Sequence, residues 1–267
     1  MSDEQKEMSF WDHIDELRKI LFRIAVVVIV VAIAMFMAMP WQFDNVILAP
    51  THADFPLYRF FDAIVPPESG APAFEISLIN INLAAQLFTH LSMSGWSAAV
   101  VCFPIIISML WSFISQGLYP EEKKNARVAF LFGNAMFYLG VAVGYFLVFP
   151  LTLRFLATYQ LSATIENTLT LESYMDNFLA ICLIMGLVFE LPLLAWLLGK
   201  FHILTKGFFT KFRRHAIVAL LIAAALITPT GDPFTLFLVF IPIYSLWEFS
   251  SFLVPAEKKE DVQEAEE

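Results

Sequence analysis

Cysteine, charge and the usual catalytic signatures are scarce in this 267-residue chain, and each scarcity removes a class of function. The two cysteines, Cys102 and Cys182, both fall inside apolar runs, so they read as packing residues with no disulfide or metal role. The five histidines, at 13, 52, 90, 202 and 215, stand apart from one another and never at metal-ligating spacing. No phosphate-cradling glycine loop with its lysine is present, which argues against ATP hydrolysis. Ser94-Gly95 is the nearest approach to an intramembrane serine nucleophile. It falls near the outer mouth of an apolar run, whereas His215 belongs to the other side of the membrane, so protease chemistry is not expected. The start of the chain lacks a short basic segment followed by an apolar core and a small-residue cleavage site. No removable signal peptide is expected there, and the first apolar run reads as an anchor.

What is abundant is hydrocarbon. Hydrophobic residues make up 59% of the chain and charged residues only 15%, the balance of an all-α, polytopic membrane protein. The formal net charge of -9 arises at the two ends, from Asp3, Glu4, Glu7, Asp12, Asp15 and Glu16 and again from Glu257, Glu260, Asp261, Glu264, Glu266 and Glu267. Both ends should be solvated, and 255–267 is expected to be a disordered acidic cytoplasmic tail.

A spanning helix needs about 20 predominantly apolar residues. Four runs meet that, at about 20–39, 95–117, 126–149 and 174–199. Two further runs, 216–228 and 234–254, are shorter or interrupted by Pro242 and Glu248 and flank a turn-rich TPTGDP segment; they are expected to form a short hairpin under which the bilayer thins. The expectation is therefore six spans forming a single membrane domain over 1–254. All lysines and arginines except Arg59 and Arg154 lie on one set of alternating segments, so both termini should be cytoplasmic. The outer segments suit short surface helices at 55–65 and 83–90 and an extended stretch at 74–81.

Glu190 is the least expected residue in this pattern. It sits in the run at 174–199 beside Pro192, which cannot donate to the carbonyl of Val188 and so kinks the helix and leaves an acceptor unserved. An ionisable group at that depth is either functional or bonded to a polar group on a neighbouring helix as a packing device. At the amino end, Phe10, Ile14, Leu17 and Leu21 form an apolar stripe, Ser9 and Asp12 resemble a capping pair, and Asp15 with Lys19 reads as an ordinary i,i+4 pair on a solvated face. A second cytoplasmic patch runs from Tyr119 to Lys124 and includes Glu122. A proton carrier built on Glu190 would need matching interrupted helices in two halves, and no such symmetry is present. A scaffold in which these acids are incidental remains the other alternative.

In order along the chain, His13-Ile14-Asp15-Glu16-Leu17-Arg18, Ala49-Pro50, Trp111-Ser112-Phe113 with Leu118-Tyr119 and Glu122, Phe149-Pro150, Phe189-Glu190-Leu191-Pro192, Thr228-Pro229 with Asp232-Pro233-Phe234, and Pro242 to Glu248 form one series. By that series the chain resembles the TatC family, the signal-peptide receptor subunit of the twin-arginine protein translocase. The resemblance implies a non-enzymatic protein of the bacterial cytoplasmic (inner) membrane, with a glove-like concave bundle and an extracytoplasmic cap. It also implies that Glu16 and Glu122 bind the paired arginines of the signal peptides of folded cargo, with Arg18 shaping that site and Phe113 lining it. Glu190 is implied to meet the later part of the signal peptide or partner helices, and Pro50, Pro192, Asp232 and Glu248 to be structural motif residues. The implied partners are signal peptides, single-span TatA/TatB-type subunits, further copies of the chain in a receptor complex, and membrane lipid. Export would be driven by the proton-motive force. No cofactor, metal or nucleic acid is implied. A guanidinium offers a planar fork that a carboxylate accepts bidentately, which a lysine cannot reproduce. The chain departs from the family pattern at Gln116, at Ile20, at Lys123 and Lys124, and by an extra residue before Asp232.

Overall fold

The computed structural model describes residues 10–64, 74–114, 120–162, 164, 167–200 and 203–254, and the side chains of these apart from 10–13, 114 and 120–129. The expected tail at 255–267, and Gln116, Leu118 and Tyr119, lie outside the described residues.

The described chain is helical almost throughout. In order come α1 (Phe10–Gln42), a π-helical turn (Phe43–Ile47), a 3-10 turn (Ala49–Thr51), α2 (Pro56–Ile64), β1 (Leu78–Ile79), α3 (Ala85–Ile114) and α4 (Pro120–Val143). A second π-helical turn (Gly144–Val148) leads into α5 (Phe149–Thr158), β2 (Leu169–Thr170), α6 (Leu171–Val188), α7 (Leu191–Lys200), α8 (Lys206–Lys211), α9 (Arg213–Ile227) and α10 (Pro233–Leu253). The strands pair in parallel, Leu78 with Leu169 and Ile79 with Thr170.

Among the described residues, five helical segments are long and apolar enough to cross a membrane: Ile14–Ile64, Ala85–Phe113, Phe130–Thr158, Leu171–Lys200 and Pro233–Leu253. The remaining expected span, at 216–228, corresponds to α9, whose 15 residues extend only about 22 Å against a hydrocarbon core of about 30 Å. The surface helix expected at 55–65 is α2. The one expected at 83–90 is not separate: α3 runs unbroken from Ala85 to Ile114, and within it Ser94 Oγ donates to the His90 carbonyl at 2.6 Å.

The chain forms two compact units, Met1–Gln42 with Leu87–Asn134, and Phe43–Gln86 with Ala135–Glu267. In the first, α1 and α3 are tied by polar contacts: Gln42 Nε2 donates to Ser97 Oγ at 2.9 Å, and His90 Nε2 meets the Phe36 carbonyl at 2.9 Å. Met39, Met93, Ala98 and Cys102 are buried.

In the second unit, tyrosine hydroxyls bond backbone carbonyls of the irregular stretch at 46–50 and, in α5, that of Pro150. Tyr145 donates to the Val46 carbonyl at 2.7 Å and Tyr174 to that of Ile47 at 2.6 Å. The Tyr58 hydroxyl lies 3.1 Å from the Pro50 carbonyl and 3.0 Å from that of Pro150, a single hydrogen shared by two acceptors. The rings of Phe55, Tyr145, Phe149, Tyr174 and Phe178 pack edge-on around these bonds. A buried tyrosine of this kind adds apolar area and serves a backbone acceptor that would otherwise cost about 1–3 kcal/mol. Glycines set the approach of α4 to α6. A Cβ on Gly140 would stand 2.5 Å from the Met185 carbonyl oxygen, and one on Gly186 would stand 2.8 Å from Val141 Cγ2 and 2.9 Å from the Phe137 ring.

Candidate functional site

The apolar stripe of the amino-terminal helix is buried only in part. Ile14 and Leu21 are exposed, whereas Ile20 is 7% exposed and Glu16 and Leu17 are half-buried. Asp15, Glu16, Lys19, Ile20 and Arg23 recur at helical spacing and line a cavity of about 540 Å³, closed on the α3 side by Met109 and Ser112. The expected Asp15–Lys19 ion pair does not form. An exposed i,i+4 pair contributes only about 0.3–0.5 kcal/mol, too little to outweigh other orientations of a long lysine. Each of the two residues borders the cavity instead.

Glu16 is thus brought beside the end of α3, one residue from the half-buried Phe113. Arg18 is exposed and does not line the cavity. Glu122 belongs to the first turn of α4, and its side chain lies outside the described residues. Two carboxylates and two cationic side chains around one cavity make a site that can accept a guanidinium at the acids while Lys19 and Arg23 limit how much positive charge it holds.

Glu190 sits at a break rather than within a helix. α6 ends at Val188, the Glu190 amide donates to the Leu187 carbonyl at 3.1 Å, and α7 begins at Leu191 with Pro192 in its first turn, where a missing N–H costs nothing. Pro192 is buried and Glu190 half-buried. The Glu190 Oε1 atom is buried and has no hydrogen-bond partner among the described residues.

The motif prolines and acids have local work. Pro50 and Pro150 are both buried and share the Tyr58 hydroxyl. Arg154, one of the two expected outer arginines, lies over the Tyr58 ring at 5.3 Å and the Phe74 ring at 5.7 Å, with Asp62 at 3.9 Å. Asp232 caps α10: its Oδ1 accepts from the Thr235 amide at 2.8 Å and its Oδ2 from the Thr230 hydroxyl at 2.7 Å, after a turn that Gly231 makes at φ +60°. Burial works against ionisation of Asp232, but the bonds from Thr235 and Thr230 more than offset it and hold the carboxyl below the usual carboxylate range. Glu248 accepts a bidentate fork from Arg213 and a bond from the Tyr244 hydroxyl at 2.7 Å. The sequence pattern did not single out Tyr58, Tyr145, Tyr174 or Tyr244. Of these only Tyr244 carried a local signal, being four residues before Glu248 on one helix.

The family profile described as Sec-independent protein translocase protein (TatC) matches residues 12–242. A protein of the same description from Blattabacterium sp. subsp. Periplaneta americana is 31% identical, with 95% of this chain and 97% of that one covered. One from Deinococcus radiodurans is 29% identical over 91% of this chain and 84% of its own length. Two solved crystal structures of the twin-arginine translocase receptor TatC, one of them in DDM, superimpose with TM-scores of 0.71 and 0.74 at 26% identity, covering 90% of this chain and 97% and 98% of theirs. With the motif series running from the HIDELR segment to Glu248 and the profile matched over most of its length, the chain belongs to the TatC family of Sec-independent protein translocase proteins.

Proposed function

We propose that this protein, a non-enzymatic transport subunit of the inner membrane, is the receptor for twin-arginine signal peptides of folded cargo. Glu16 and Glu122 grip the two guanidinium groups, Arg18 shapes the amino-terminal side of the site, and Phe113 lines the same surface. Glu190, with an oxygen that no described group bonds, takes a polar group from the later part of the signal peptide or from a partner helix. Single-span TatA/TatB-type subunits and further copies of the chain complete the receptor complex, and the proton-motive force drives export. The spans form a single six-helix membrane domain with both termini in the cytoplasm, a glove-like concave bundle with an outer cap, in which α9 is the short helix.

The observation that carries this proposal is the cavity between α1 and α3, which Glu16 lines together with Met109 and Ser112 at the amino-terminal end of the first span. The test is to replace Glu16 and Glu122 singly with Gln and measure signal-peptide binding and export of folded cargo. Loss of one charge-assisted bond should weaken binding about tenfold or more, and binding by the unaltered chain should fall as salt rises. Binding and export unchanged in both variants would sink the proposal.

A further inference from the structure

Between α7 and α9 the chain makes an elbow whose chemistry the receptor role does not use. Phe209 of α8 is 4% exposed, packs with Ala195 of α7 and with Val254, and lies 4.7 Å from the Trp247 ring of α10. With that residue pinned, the rest of α8 faces outward: Lys206, Phe208, Thr210 and Lys211 are exposed, and so are Phe212 and Arg214 beyond it. Three ammonium groups of this region rest on aromatic faces: Lys200 Nζ is 5.8 Å from the Trp196 ring, Lys206 Nζ is 5.7 Å from the Phe252 ring, and Lys211 Nζ is 5.9 Å from the Phe212 ring. None of them, and not Arg214, is ion-paired with a carboxylate among the described residues, while Glu248 is occupied by Arg213.

We propose that this elbow binds the headgroups of anionic phospholipid, with the phosphate held by Lys206, Lys211 and Arg214. Two features select a lipid over a soluble anion. The cations alternate with large exposed apolar groups, Ile203 at 66%, Phe208 at 37% and Phe252 at 73% exposure, which a headgroup phosphate with its attached glycerol and acyl chains would cover and a free phosphate would not. Unpaired lysines laid on rings at the end of apolar helices also match the arrangement in which basic side chains reach the phosphate layer and aromatics sit beside it. The acidic segment 255–267 is the competing occupant. It carries no aromatic residue and brings Lys258 and Lys259 into a basic surface, so it complements the charge partly and the apolar groups not at all. The lipid site rests on the proposed topology only for which leaflet it faces, the cytoplasmic one, where anionic lipid attracts basic segments.

The test uses the full chain in vesicles of phosphatidylcholine containing a minor fraction of phosphatidylglycerol, on both leaflets. After extraction in mild detergent, co-purifying lipid is counted by intact mass. Phosphatidylglycerol should be retained in preference to phosphatidylcholine, less so at high salt. Lys206→Gln, Lys211→Gln and Arg214→Gln, singly and together, should weaken retention by about fivefold for each basic side chain removed. Retention that is unchanged in the triple variant, or equal for the two lipids, would overturn the proposal. So would phosphatidylglycerol retention that appears only in a chain ending at Val254, since the acidic segment would then be the occupant. Signal-peptide binding measured on the same samples separates this site from the receptor role: Glu16→Gln should lose peptide and keep lipid, and the triple variant the reverse.

Discussion

His90 and Phe36 are joined twice, by a hydrogen bond and by their rings. The His90 Nε2 atom lies 2.9 Å from the Phe36 carbonyl oxygen, and the two rings stack at 3.9 Å with an interplanar angle of 8°. A carbonyl can only accept, so Nε2 carries the hydrogen. The acceptor is available because Pro40, four residues further along α1, has no N–H to give it. A proline in one helix is thereby compensated by a histidine in another.

That compensation predicts a coupled pair of substitutions. His90→Phe keeps the stacking and removes the donor, and it should lower stability in detergent by about 0.5–2 kcal/mol, read from the unfolding midpoint. In a Pro40→Ala background, where the substitution restores a backbone N–H to serve the Phe36 carbonyl, the same change should cost much less. Equal costs in both backgrounds would mean that the hydrogen bond is not the reason for the histidine.

Tyr58→Phe removes only an oxygen, yet it takes away the hydroxyl that bonds the Pro50 carbonyl and also reaches that of Pro150 in α5. The expected cost is about 1–3 kcal/mol, with faster proteolysis of the segment around α2. A neutral result would indicate that water serves the Pro50 carbonyl.

Gly140→Ala forces a Cβ to within 2.5 Å of the Met185 carbonyl oxygen and 2.7 Å of Phe189, so α4 and α6 must separate. Overpacking of this kind costs about 1–3 kcal/mol, whereas Gly95→Ala, with nothing within 4 Å of the new atom, should be neutral or stabilising by up to about 1 kcal/mol. Thermal unfolding of the two variants side by side checks both signs.

The cap on α10 should make stability depend on pH in the acid range. The folded Asp232 carboxyl titrates below its unfolded value of about 3.9, so its contribution is complete above that value and is lost as pH falls through the lower, folded one. Asp232→Asn should keep much of the cap and flatten this acid dependence, while Asp232→Ala should lose about 0.5–2 kcal/mol at neutral pH. Denaturation profiles of the three proteins against pH would test it. An unaltered acid slope in the Asn variant would assign the dependence to other carboxylates.

Much of the helical layout was legible from local pattern. The surface helix at α2, the extended stretch that becomes β1, the interruption at Pro192 and the turn before α10 all announce themselves by periodicity or by turn residues within a few positions. The hydroxyl network did not, because Tyr58, Tyr145 and Tyr174 reach acceptors 92, 99 and 127 residues away, and periodicity carries no information on so remote a partner. The separate helix at 83–90 failed for a related reason: its mixed apolar and polar pattern suited a surface helix, but a serine that bonds back to His90 and a glycine with open space around it let α3 run on through Ser94 and Gly95.

The candidate site divides in the same way. Glu190 was conspicuous as an acid inside an apolar run, whereas Glu16 and Glu122 were nominated only by the resemblance that the motif series carries. Which face of α1 borders the cavity was decided by α3, whose Met109 and Ser112 line it together with Glu16 and Ile20, while the apolar residues Ile14 and Leu21 are exposed. Composition and spacing therefore determined that this chain is a helical membrane protein, because hydrophobic runs act locally, and the ordered motifs placed it with the TatC family. The tertiary structure alone decided which carbonyl each tyrosine serves, that Pro40 is repaired by His90, and that Asp15 and Lys19 border a cavity instead of pairing. Those outcomes depend on what a second, distant segment places opposite each group.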